Sequence, residues 1–111
     1  MPGPARTKVK ETMDSIDLDG ANSTDVFSGL DFPSIFIQVV YTGATGTPEV
    51  KLQVSGDNTN WDDVAGYASA ALAGAGSFSW QLKDFSAPFY KILVSSAGTA
   101  GSAIVIFSGN R

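Results

Sequence analysis

The 111-residue chain contains neither cysteine nor histidine. Without cysteine there is no disulfide framework and no thiolate nucleophile. Without histidine the commonest general base and the commonest metal ligand are missing as well. No serine has a histidine partner, and no pair of carboxylates sits at a spacing that identifies acid–base chemistry, so the chain reads as non-enzymatic. Charge is also scarce, at 16% of residues, with seven basic and eleven acidic side chains giving a net −4. That balance argues against a nucleic-acid binder, which needs a basic face. It also disfavours long surface helices, which draw on Glu, Lys and Arg. No apolar run approaches the roughly 20 residues of a membrane span. The basic start, MPGPARTKVK, is not followed by the apolar stretch of a secretory signal.

What the chain does have is small residues, aromatics and short alternating segments. The clearest runs from Pro48 to Gly66. Val50, Leu52 and Val54 alternate with Lys51, Gln53 and Ser55, the period-2 pattern of a half-buried strand. Six residues of turn chemistry follow, Ser55 to Asn60, then Trp61 and a return strand through Asp62, Asp63 and Val64. The pattern predicts a β-hairpin with Trp61 folded back over its apolar face. Ser34–Thr42 is apolar on both sides and should be central in a sheet or covered by a second surface. Ser77–Lys83, Phe89–Ser95 and Ser102–Ser108 are further strands, the first with Phe78, Trp80 and Leu82 inward. An initial strand is expected over Val9–Leu18, with Val9, Met13, Ile16 and Leu18 apolar and a bulge near Asp14–Ser15. Thr24–Phe32 reads as a short strand or irregular crossing, and Tyr67–Gly76 as a small-residue loop, with at most one helical turn.

Seven or eight strands at this spacing, with turn signals between them, predict an all-β antiparallel sandwich, jelly-roll, Ig-like or discoidin-like. Residues 1–8, rich in proline and glycine, form an extended N-terminal arm, and residues 9–111 a single sandwich domain. Charge is segregated near the arm, with Arg6, Lys8 and Lys10 ahead of Glu11, Asp14, Asp17, Asp19 and Asp25.

The stretch Ser55–Trp61, S-G-D-N-T-N-W, resembles the S-x-D-G-x-x-W turn of discoidin-like sandwich domains and of small β-sandwich proteins of tailed bacteriophages. Asn58 stands where glycine is usual, a change that a left-handed conformation tolerates. The phage resemblance extends from residue 34 onward through SIFIQVVYTGATGTPEVKLQVSGDNTNWDDV and SAPFYKILVSSAGTAGSAIVIFSG. In discoidin-like relatives an Arg follows the aromatic of A-x-Y-[IV]-R, and Lys91 takes that place here. The resemblance implies a virion structural protein, a decoration or cement protein on the capsid exterior, made in the host cytoplasm. It would bridge subunits of the major capsid protein or another virion protein. Arg6, Lys8 and Lys10 would dock the arm on a neighbour.

The alternative is a glycan-binding or host-surface adhesion module. Asp57, Asn60, Trp61 and Tyr67 would then grip sugar, with Tyr41 and Trp80 as further stacking candidates, although such rings more often fill the gap between sheets. Asp57, Asn58, Asn60, Asp62 and Asp63 carry oxygens of the kind calcium takes, without the fixed spacing of a calcium loop. Asp57 and Asn58 are expected to bond their own turn instead, and no cofactor is expected. The closing strand Ser102–Ser108 has no charge to guard it as an edge and is apolar on both faces. A homo-oligomer, a trimer by preference, is expected to cover it or Ser34–Thr42.

Overall fold

A computed structural model describes residues 8–29, 34–83 and 87–110, and of these the side chains of residues 8–11, 83 and 110 are not described. Eight strands account for most of it: β1 (Lys8–Asp17), β2 (Phe27–Ser28), β3 (Ser34–Thr45), β4 (Glu49–Ser55), β5 (Asp62–Ala68), β6 (Gly74–Lys83), β7 (Phe89–Ser96) and β8 (Ala100–Asn110). They form two four-stranded sheets, a front sheet in the order β1-β8-β3-β6 and a back sheet in the order β2-β7-β4-β5. Every pairing is antiparallel. Of the sandwich forms expected, this order is the jelly roll, which interleaves two Greek keys so that the chain's first and last strands pair. Residues 1–7 of the expected arm lie outside the described residues, and Lys8 already pairs with Asn110 in β1.

Period-2 alternation places the core. From the front sheet Ile35, Ile37 and Val39 of β3 and Ala103, Val105 and Phe107 of β8 point inward. Val50 and Leu52 of β4 and Tyr90, Ile92 and Val94 of β7 meet them from the back sheet. The register holds these rows opposite one another, with Val39 beside Val105 and Leu52 beside Ile92. Phe27 and Phe107 stack across the gap, centroids 5.1 Å apart. Burying each such side chain contributes roughly 1.5–3 kcal/mol. Gly29, just past β2, lies so close to Tyr90 and Ile35 that a Cβ there has no room.

Three local expectations are corrected. The irregularity in β1 lies between Lys8 and Lys10, whereas Asp14 and Ser15 pair in unbroken register with Val105 and Ile104. The imperfect alternation arises because Met13 faces outward, 64% exposed, while Ile16 and Leu18 face in. The Tyr67–Gly76 loop is shorter than expected, because β5 runs to Ala68 and β6 starts at Gly74, and no helical turn forms between them. Ser69 and Leu72 instead donate their N–H groups to Val50 and Pro48 carbonyls, which pins the connection in an extended form along β4. Lastly, β8 is no edge. It lies between β1 and β3, so its backbone is satisfied on both sides.

Candidate functional site

The β4–β5 turn is built around one carboxylate. Thr59 and Asn60 donate their backbone N–H groups to Asp57 Oδ1 at 2.9 and 2.8 Å, and the Ser55 hydroxyl donates to the same oxygen at 3.0 Å. Asn60 Nδ2 donates to Asp57 Oδ2 at 2.7 Å. Ser55 Oγ in turn accepts from the N–H groups of Asp57 and Asn58. Asn58 sits at φ 61, the left-handed conformation that asparagine accepts in a tight turn. The donors, led by the Asn60 and Thr59 N–H groups, hold the Asp57 carboxyl well below the usual carboxylate range. Both oxygens of Asp57 are thus engaged by the turn itself. Among the described residues, no three acidic side chains converge as a metal-ligand set.

Trp61 does not fold over the hairpin's apolar face. Tyr90 and Ile92 point into the core, so Lys91 between them projects outward, and its Nζ lies 4.4 Å above the Trp61 ring. The indole therefore lies half-buried on the outer face of the back sheet. The physical reason is parity. Asp63 pairs with outward-facing Gln53, and Trp61, two residues earlier, falls on the same side. That face mixes polar groups with half-buried Phe89 and Leu93. Lys51 Nζ and Gln53 Nε2 both donate to the Asp63 carboxylate at 2.9 Å, and with Lys51 first they lower its pKa.

The other candidate aromatics meet elsewhere. Tyr41, Phe78, Trp80 and Tyr67 pack half-buried against the open end of the core, beside β6. Phe78 lies 5.2 Å from Trp80 and 6.3 Å from Tyr41, and Tyr67 meets Trp80 edge-on at 5.8 Å and 89°. With residues 68–72 and Ser77, Tyr41, Phe78 and Trp80 line a cleft of about 330 Å³. The rings are tilted or perpendicular, unlike the coplanar platform that stacks successive sugar rings. Tyr67 and Trp61, expected to act together, are on different surfaces.

A further surface joins the outer faces of the two strands that the sequence showed to be apolar on both sides, Ser102–Ser108 and Ser34–Thr42, and adds Met13, which the sequence did not place there. On the outer side of the front sheet the register aligns Met13 with Ile106 and Gln38, and Ile104 with Val40. Ile104 is 42% exposed, and Ile106, Phe36 and Val40 are half-buried. Together they make an apolar stripe across β1, β8 and β3. Parity was the available signal: Met13 is an odd number of residues from both Ile16 and Leu18, so it cannot share their face. Of the other candidates, Lys8 and Lys10 lie in β1 at the sheet edge, and Arg6 lies outside the described residues.

No family profile and no curated protein matches the chain. Solved structures do resemble it. The crystal structure of the SPBc2 prophage-derived protein YomS is similar over 93% of this chain and 98% of its own, with a TM-score of 0.53 and 11% identity. CBM29_1, a family 29 carbohydrate-binding module from Piromyces equi, is similar over 95% of this chain and 79% of its own, with a TM-score of 0.53 and 13% identity. A subunit of the Bacillus endospore appendages, disulfide-linked pili, aligns over 99% and 94% at 20% identity with a TM-score of 0.48. At such identities the likeness establishes the β-sandwich fold alone.

Proposed function

We propose that this chain is a non-enzymatic structural protein of a bacteriophage particle, a decoration or cement protein that binds the capsid exterior through the outer face of its front sheet. The observation that carries the reading is the apolar stripe of Met13, Ile104, Ile106, Phe36 and Val40. An outward apolar face on a small sandwich marks an interaction surface. The phage-type turn and a fold shared with a prophage-derived protein point to the particle as its setting. Affinity per copy need not be high, because many copies on one lattice act together. The test is co-sedimentation of the purified protein with expanded capsids of the phage that encodes it. Saturable binding is expected, with loss in Ile104→Lys at unchanged melting temperature. Absence of co-sedimentation, or binding indifferent to Ile104→Lys, would overturn the reading.

A second reading, a glycan-binding module, is favoured by the aromatic cleft beside β6. It requires binding on a glycan array that disappears in Phe78→Ala while Ile104→Lys leaves it intact.

A further inference from the structure

The four edges of the two sheets are not equally protected. An edge strand offers unpaired N–H and C=O groups to any strand that approaches, and folded proteins guard such edges with charge, proline, bulges or shortness. β2 is two residues long. β5 carries Asp62 and Asp63, and its register with β4 slips between Lys51 and Gln53. β1 carries Lys8, Lys10, Glu11, Asp14 and Asp17. The remaining edge, β6, has no charge and no proline from Gly74 to Leu82, and its register with β3 is unbroken from Gly76 to Lys83. It is long and carries no guarding charge before Lys83. Its inward aromatics, Phe78 and Trp80, are only half-buried, because the sheet stops there.

We propose that β6 pairs antiparallel with β6 of a second copy, joining the two front sheets into one continuous eight-stranded sheet about a twofold axis at Ser79. Parity fixes the register of such a pair, and the side chains it matches suit a second copy. Residues directly opposite in an antiparallel pair share a face, so a twofold pairing must match even-numbered positions with even and odd with odd. With the axis at Ser79, Phe78 of each copy lies opposite Trp80 of the other, and Ser77 lies opposite Gln81. Aromatic cross-strand pairs of this kind are favourable. Lys83 falls opposite Ala75, so no like charges meet. The overlap, residues 75–83, is about 27 Å long at 3.4 Å per residue. The inner rings extend the row that lines the cleft, and the polar outer row of Ser77, Ser79 and Gln81 remains in water. The twofold edge pairing does not depend on the particle reading and leaves the apolar stripe free.

Sedimentation velocity and a single cysteine test it together. The wild-type chain is expected to sediment as a dimer. Ser79→Lys places two lysines opposite one another on the axis and should weaken the dimer by at least about tenfold with an unchanged far-UV circular dichroism spectrum. Ser79 is exposed, so the variant keeps its core. Because the chain has no cysteine, Ser79→Cys supplies one thiol per copy, which should oxidise to a disulfide-linked dimer, whereas Ser77→Cys should not. A monomeric or trimeric wild type, a dimer unmoved by Ser79→Lys, or equal crosslinking at positions 77 and 79 would overturn the proposal.

Discussion

Both sheets send a buried row of apolar side chains to the core, but the front sheet turns out exposed Met13 and Ile104 with Ile106 where the back sheet turns out Lys51, Gln53, Asp63 and Lys91 beside half-buried Phe89 and Leu93. The two tryptophans show the same division on a smaller scale. Trp80 lies on the inner side of β6, in contact with Phe78 and Tyr67, whereas Trp61 lies on the back sheet's outer face under Lys91. Alternation makes each strand two-sided, but what covers each side depends on the sheet it joins. One outer face carries the Lys51–Asp63 ion pair among half-buried apolar side chains, and the other leaves Met13 and Ile104 exposed. The proposed partner surface rests on that difference.

The comparison breaks most sharply within β8. Val105 is 0% exposed and Ile104 42%. Val105→Lys puts an unpaired charge between the sheets and should cost more than about 4 kcal/mol, enough to unfold the domain. Ile104→Lys should stay folded, within about 0.5 kcal/mol of wild type. Urea melts followed by tryptophan fluorescence decide between them. Equal loss in both would mean that the outer stripe is as essential to the fold as the core.

The tryptophans come next. Trp80→Ala removes a ring packed against the core and should cost about 2–3 kcal/mol, below the range for fully buried rings. Trp61→Ala removes a cation–π contact and partial cover of an exposed face, worth about 1 kcal/mol. Denaturant midpoints at constant slope measure both. A reversed order would move Trp61 into the core.

The smallest effect is the turn's response to acid. Asp57 and Asp63 are both held below the ordinary carboxylate value of 3.8 when folded. The unfolded chain therefore takes up these protons first. The stabilisation is complete above that ordinary value and is lost as pH falls below it through the folded values. Asp57→Asn removes one of these titrations and should lower stability near neutrality. At acid pH, where the wild type has already lost the contribution, little should change, so that the acid limb flattens. An acid limb as steep as wild type would show that the turn's hydrogen bonds do not couple to folding.

Much of this was legible in the chain. Val50, Leu52 and Val54 against Lys51 and Gln53, or Phe78 and Trp80 against Ser77 and Ser79, show strand and facing at once, because the side-chain period of a strand is two. Asn58's left-handed turn was equally local, since Asp57 and Ser55 carry the groups that close it. Such features need only neighbours in sequence. What the tertiary structure alone decided was pairing. It made β8 an interior strand between β1 and β3, set Met13 beside Ile106, and separated Trp61 from Tyr67 and Trp80. The first two of those outcomes depend on strands more than about 50 residues apart in the chain. Alternation shows that a strand has two faces, but only the strand order shows what covers each of them.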